Sequence, residues 1–167
     1  MILSIDNVIN KETCDLLIKI FNDNTHLQEE HNNSYALRCK KLKGEDLNFT
    51  YKISRYLNNL ITKHTGDLIY HDNVQIVLKP PQVEQVAHKD FETSFITSIT
   101  YLNNLNNGET FFEDFGDIKP KAGRTVIFNG HDIIHGSKKA SENRYTFIAW
   151  YSKDVNKLDI INNIFDK

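Results

Sequence analysis

From Asn73 to Tyr151 the chain reads NVQIVLKPPQVEQVAHKDFETSFITSITYLNNLNNGETFFEDFGDIKPKAGRTVIFNGHDIIHGSKKASENRYTFIAWY. Short apolar or alternating runs are interrupted at Pro80-Pro81, Asn107-Gly108, Lys121-Ala122-Gly123 and Asn129-Gly130, the punctuation of strands joined by turns. The expected strands are Val74–Lys79, Glu84–Ala87, Ser94–Leu102, Glu109–Phe112, Asp117–Lys119, Thr125–Phe128, Ile133–Gly136 and Arg144–Tyr151. The gaps leave no room for crossover helices, so a parallel sheet is disfavoured and eight short strands suit a double-sheet jelly roll.

Upstream the pattern is helical. Asn10 predicts an N-cap, and Cys14, Leu17 and Phe21, with Leu16 and Ile20 beside them, recur at helical spacing. A second such pattern runs through Phe49, Ile53, Tyr56, Leu57, Leu60 and Ile61 and stops before Gly66. Between them, Asn22 to Ser34 is polar and reads as a solvated loop, and Tyr35 to Lys41 as a short strand. The fold class is therefore mainly β with N-terminal helices (α+β). One domain is expected over residues 1–167, with supporting helices in 1–72 and a jelly-roll core in 73–151.

A chain of 167 residues buries roughly 68–70% of its unfolded surface, enough to hold a site without disulfides. The net charge of -2, with both signs interspersed, gives no basic stripe for a phosphate backbone, so nucleic acid is not an expected partner. Cys14 and Cys39 lie far apart and form neither a Cys-x-x-Cys pair nor a disulfide framework. The start Met-Ile-Leu-Ser-Ile-Asp lacks the pattern of a signal peptide, and no apolar run approaches the roughly 18 residues of a membrane span. A cytoplasmic protein with reduced thiols and no membrane partner is the expectation; oligomeric state leaves no mark in the sequence.

The chemistry concentrates in the strands. His88 and Asp90 are two apart, so in an extended segment both side chains project to one side and can bind one ion. His135 is the expected third ligand, from a neighbouring strand, because a jelly roll brings the end of its second strand close to its seventh. His131 competes for that position but directly follows the Asn129-Gly130 turn. Two imidazoles and one carboxylate are the ligand set of a mononuclear non-haem Fe(II) site that leaves coordination positions open. Zinc accepts the same ligands, but His-Glu-x-x-His is absent. Arg144 shares a strand face with Thr146, Ile148 and Trp150, while Tyr145, Phe147, Ala149 and Tyr151 take the other and suit packing against the helices. An inward arginine requires an anion, and a carboxylate bound bidentately provides one. On Ser94–Leu102 the more apolar face, carrying Phe95, Thr97, Ile99 and Tyr101, should be interior, which leaves the Tyr101 phenol to find a partner there.

Together, His88-x-Asp90, Tyr101-Leu102-Asn103, Gly108-Glu109-Thr110-x-Phe112, Ile118-x-Pro120-x-x-Gly123, Phe128, His135-x8-Arg144 and Trp150-Tyr151 resemble the prolyl-hydroxylase-like branch of the 2-oxoglutarate- and Fe(II)-dependent dioxygenases. The resemblance covers Val74 to Tyr151. It implies iron on His88, Asp90 and His135. It implies 2-oxoglutarate with its 5-carboxylate on Arg144, assisted by Tyr101 and, less closely, Thr110. Dioxygen is the co-reactant, with ascorbate as an auxiliary reductant in some members. One position departs: many members carry a pocket-lining tyrosine ten residues before the first ligand, and Leu78 stands there.

The resemblance implies hydroxylation of a prolyl residue in a peptide or protein, with Trp150 and the Asn22–Ser34 loop as its expected surroundings. A free amino acid or other small molecule is the alternative substrate, and a nucleic-acid demethylase a weaker one. A non-catalytic jelly-roll module that binds a metal or ligand is the rival of another class.

Overall fold

The turn residues and alternation over 70–152 resolve into eight strands, and the computed structural model, which describes residues 1–154, adds three more upstream. In chain order the elements are β1 (Ile2–Ile5), α1 (Lys11–Asp23), β2 (Glu29–His31), β3 (Ser34–Arg38), α2 (Gly44–Thr65), β4 (Tyr70–Lys79), β5 (Gln85–His88), β6 (Ile96–Tyr101), β7 (Thr110–Phe112), β8 (Gly116–Ile118), β9 (Thr125–Phe128), β10 (His135–Ser137) and β11 (Arg144–Ser152). The single domain expected over 1–167 includes residues 155–167, which lie outside the described residues.

The strands form two antiparallel sheets, one in the order β1-β9-β6-β11-β4-β3-β2 and the other β5-β10-β7-β8. This is the jelly roll expected from the turn spacing: β9, β6, β11 and β4 make one wall, and the four-stranded sheet makes the other. The short strand expected over Tyr35–Lys41 is β3, which ends at Arg38 because Cys39–Lys41 turn into a 3-10 helix, and two further strands upstream of residue 73 were not expected. β1 extends the larger sheet beside β9, and the β2–β3 hairpin extends it beyond β4. Residues 29–31, expected in a loop, pair with β3 through a two-residue turn at Asn32 (φ 49°) and Asn33 (φ 61°). Both central residues left-handed is the mark of a type I′ hairpin, and asparagine tolerates that conformation.

The helices cover the outer face of the larger sheet. Asn10 Oδ1 accepts the Thr13 amide (2.8 Å) and so caps α1, which buries Cys14, Leu17, Ile20 and Phe21. α2 ends on Gly66 at φ 73°, and its buried stripe is Thr50, Tyr51, Ser54, Leu57 and Ile61. That stripe is rotated from the apolar one read in the sequence: Tyr56 is exposed, and Ser54 turns inward because its hydroxyl lies 2.8 Å from the Nδ1 of buried His71 on β4. Phe147 packs with the α1 side chains, Leu57 and Ile76, and Ala149 and Tyr151 pack with Ile61 and Ile127. Each such fully buried large apolar side chain contributes about 1.5–3 kcal/mol.

The alternate residues face inward. Ile99, Tyr101, Phe112, Val126 and Phe128 fill the closed part of the roll, with Ile148 against them. Phe95 departs from the expected inner face: it precedes β6 and packs with the cluster of Ile61 and Tyr151 on the helix side.

Candidate metal centre

β5 and β10 pair so that His88 stands opposite His135, which delivers both imidazoles to one spot from strands distant in sequence. Asp90 follows β5, and its amide donates to the Gly130 carbonyl (2.9 Å), which turns the carboxylate toward them. Ligand-type atoms of His88, Asp90 and His135 all lie within 4.8 Å of one another. Each imidazole Nε2 stands 3.6 Å from Asp90 Oδ1, and the two rings are 4.4 Å apart. Adjacent ligands held at about 2.1 Å from a metal are separated by about 3 Å, so a slight contraction would complete three positions.

The tautomers are set by the backbone. His88 Nδ1 lies 3.0 Å from the Val86 carbonyl and His135 Nδ1 lies 2.9 Å from the Ile133 carbonyl. A carbonyl only accepts, so both Nδ1 atoms carry hydrogen; a protonated His88 donates from Nε2 to Asp90, and in the neutral rings each Nε2 presents a lone pair. The Gln85 amide, 3.2 Å from His88 Nε2, donates to one of these lone pairs. Asp90 Oδ2 accepts the Thr97 hydroxyl. Burial pushes the Asp90 carboxyl up, but the His88 and Thr97 hydrogen bonds and His135 hold it below its usual value. The bond to Asp90 raises His88, whereas burial lowers His135. Two borderline nitrogens and one hard oxygen, with one side left open, fit Fe(II). His131 stands elsewhere, its Nδ1 3.1 Å from the Ser94 carbonyl.

The cluster opens on a cavity of about 520 Å³, a size that suits a small-molecule site. Arg144, Thr110, Lys79 and Trp150 line it together with the ligand-type residues. Arg144 is 3% exposed; its Nε donates to the Gly108 carbonyl (3.0 Å) and an NH2 nitrogen to Thr110 Oγ1 (2.9 Å), and among the described residues no carboxylate pairs with it. Tyr101 is fully buried and does not line the cavity; its hydroxyl donates to the same Thr110 oxygen (2.6 Å), and its ring centroid lies 5.3 Å from the guanidinium carbon. The Tyr101 hydroxyl also lies 3.3 Å from the Ile118 carbonyl, and Thr110, held between Tyr101 and Arg144, lines the cavity.

Three residues escaped the sequence reading. Thr97 holds Asp90, although the strand alternation had already turned it inward. Gly130 backs both, since a Cβ there would lie 2.2 Å from Thr97 Oγ1 and 2.3 Å from Asp90 Oδ2. Lys79 is the third. Leu78, singled out as the pocket-lining departure, pairs with Tyr145 and packs with the helices, while Lys79 points into the cavity opposite Arg144. The period-two alternation of β4, with Gln75, Val77 and Lys79 on the cavity side, was the signal. Trp150 lines the cavity as expected of its face, and the expected surroundings from residues 22–34 are in part the β2–β3 hairpin, whose Glu29, His31, Asn32 and Ser34 also line it.

Solved structures share this architecture. A collagen prolyl hydroxylase of Paramecium bursaria Chlorella virus-1, solved with 2-oxoglutarate, superposes with a TM-score of 0.73 at 18% identity, over 90% of this chain and 94% of its own. A Trichoplax adhaerens prolyl hydroxylase, solved with a peptide fragment of a hypoxia-inducible factor, gives 0.77 at 14% identity, over 94% and 86%. An α-ketoglutarate-dependent epimerase of nogalamycin biosynthesis gives 0.73 at 12% identity, over 90% and 78%. No curated protein matches the sequence. At these identities the likeness establishes the fold, and the family follows from the sequence itself: the profile of the 2OG-Fe(II) oxygenase superfamily matches residues 51–152. This chain belongs to the 2-oxoglutarate- and Fe(II)-dependent oxygenases, whose cofactors are Fe(II), 2-oxoglutarate and dioxygen.

Proposed function

We propose that the protein hydroxylates an unactivated C–H bond of a prolyl residue in a peptide or protein, with His88, Asp90 and His135 as the Fe(II) ligands. The observation that carries the reading is one cavity holding both the ligand-type cluster and the buried, acid-free Arg144. A dicarboxylate spanning those two points would be chelated at one end and salt-bridged at the other. When bound, iron and 2-oxoglutarate supply the oxidation, inserting one atom of dioxygen into the C–H bond and the other into succinate as carbon dioxide leaves.

The chain's own groups position. Arg144 and the Thr110 hydroxyl take the distal carboxylate, and Tyr101 holds Thr110 from behind. Thr97 aims the Asp90 carboxylate, and the Val86 and Ile133 carbonyls fix the imidazoles. A peptide is favoured over a small molecule by the mouth of the cavity, where Phe91 is 73% exposed beside the ligands. Trp150 also lines the cavity and offers its indole as an apolar surface for a substrate side chain. The prolyl hydroxylases among the structural relatives, one solved with a peptide, lend the same support; the epimerase shows that this fold hosts other outcomes.

The test measures succinate formed from 2-oxoglutarate with Fe(II) and a panel of proline-containing peptides, free proline and other amino acids. Succinate should appear with the wild type and vanish in His135→Ala, and only the true substrate should gain one oxygen in mass. Equal turnover in both proteins sinks the oxygenase site, and a mass gain on free proline alone sinks the peptide reading.

A further inference from the structure

β4 and β11 are paired with Lys79 directly opposite Arg144, and both side chains line the cavity. Directly opposed residues on one sheet face have Cβ atoms about 4.5–5.5 Å apart, so two long cationic side chains emerge there side by side. Lys79 is 7% exposed and Arg144 3%. Among the described residues no hydrogen bond or ion pair reaches the Lys79 ammonium, while the arginine is anchored by Gly108 and Thr110. A buried ammonium beside a like charge is costly unless an anion joins it. Burial and Arg144 accordingly push Lys79 down to about 8, so the ammonium still predominates at neutral pH. The acidic side chains that line the cavity are committed elsewhere: Asp90 to Thr97 and the histidines, Glu29 to Arg38 and Lys41.

We propose that Lys79 is a second cation for the distal carboxylate of 2-oxoglutarate, closing on it from β4 as Arg144 does from β11 and selecting doubly charged over singly charged 2-oxo acids. This rests on the cosubstrate assignment above. The strand geometry favours the distal carboxylate over a substrate group, because the residue opposite Lys79 is the one that anchors that carboxylate. It also accounts for an otherwise unpaired buried charge, which the carboxylate would pair.

The test uses the 167-residue protein loaded with Mn(II), which occupies the metal site without turnover, and calorimetric titration with 2-oxoglutarate and with 2-oxopentanoate, which lacks the distal carboxylate. The wild type should prefer 2-oxoglutarate. Lys79→Met should weaken 2-oxoglutarate by about 10- to 100-fold, the range for a hydrogen bond to a charged group. It should leave 2-oxopentanoate within about threefold, since no charge-assisted bond to that ligand is lost. Lys79→Arg, which keeps the charge, should retain most of the preference. The ligand-free midpoint of thermal unfolding should hold or rise in Lys79→Met, because a buried charge is removed. Unchanged 2-oxoglutarate affinity, or equal losses for both ligands with a lowered ligand-free midpoint, overturns the proposal and leaves the oxygenase reading intact. Failure of the wild type to bind 2-oxoglutarate at all overturns both.

Discussion

A single methyl group placed at Gly130 should empty the metal site while leaving the fold in place. The backbone there is not left-handed, so alanine is conformationally acceptable; the obstacle is what the new carbon would meet. It would sit 2.2 Å from Thr97 Oγ1, 2.3 Å from Asp90 Oδ2 and 3.0 Å from Asp90 Cγ, whereas real Cβ atoms essentially never come within 3.0 Å of another heavy atom. The carboxylate oxygen must therefore retreat by at least about 0.7 Å, the difference between 3.0 and 2.3 Å. Thr97 yields less readily, because it is β-branched and lies on β6, paired on both sides by β9 and β11. Metal–ligand distances tolerate about 0.2 Å, and productive sites about 0.5 Å. Displacing Asp90 and breaking its bond to Thr97 together should weaken metal binding by at least the 10- to 100-fold typical of losing an outer-shell partner alone. The affinity can be read by titrating Mn(II) or Co(II) and following Trp150 emission, since this only tryptophan of the chain lines the same cavity. The ligand-free unfolding midpoint serves as the control. A folded Gly130→Ala protein that binds metal as tightly as the wild type refutes the assignment of Asp90 and its backing.

Thr97→Val keeps the shape but removes the hydroxyl on Asp90 Oδ2, so metal affinity should fall about 10- to 100-fold at little cost in stability; an unchanged titration would remove Thr97 from the site. Trp150→Ala should raise the KM for a peptide substrate about tenfold through lost apolar contact in the cavity, and steady-state kinetics with an unaltered KM would deny the indole a role. His71 gives a pH signature: burial, aided by Arg55, lowers it from 6.5 to about 4 in the folded chain. As pH falls through that window the unfolded state takes up the proton first, so stability present above about 6.5 is progressively lost, by roughly 3 kcal/mol once pH reaches about 4. Urea unfolding at pH 7 and pH 4 should show a correspondingly smaller loss in His71→Asn, and equal losses in the two proteins would contradict it.

The parts of the fold that sequence revealed were those written in a local code. Turn residues at Pro80-Pro81, Asn107-Gly108 and Asn129-Gly130 marked the eight strands of the roll, and period-two alternation separated Arg144, Ile148 and Trp150 from Phe147, Ala149 and Tyr151. The β2 strand left no such trace, because Glu29, Glu30 and His31 are polar on both faces and its turn is a pair of asparagines in an asparagine-rich stretch. The tilt of α2 about its axis depended on Ser54 meeting His71, a pairing set by tertiary contact. Lys79, Thr97 and Gly130 went unread for a related reason. What makes each of them matter is the residue across a strand pair or a turn, and register, not spacing along the chain, chooses that neighbour.

The two sheets are unequal. The larger is built on strands of up to ten residues backed by helices, whereas β5, β7, β8 and β10 have only three or four residues each. Two of these short strands, β5 and β10, carry His88 and His135 in opposed positions. An ion held by both would act as a clasp across the weaker wall, cross-linking segments distant in the chain much as a disulfide would. Iron loading and closure of the roll then form one coupled equilibrium. The wall that would bind the metal is also the wall the metal would brace, so iron would raise the stability of the folded protein as well as enable its activity.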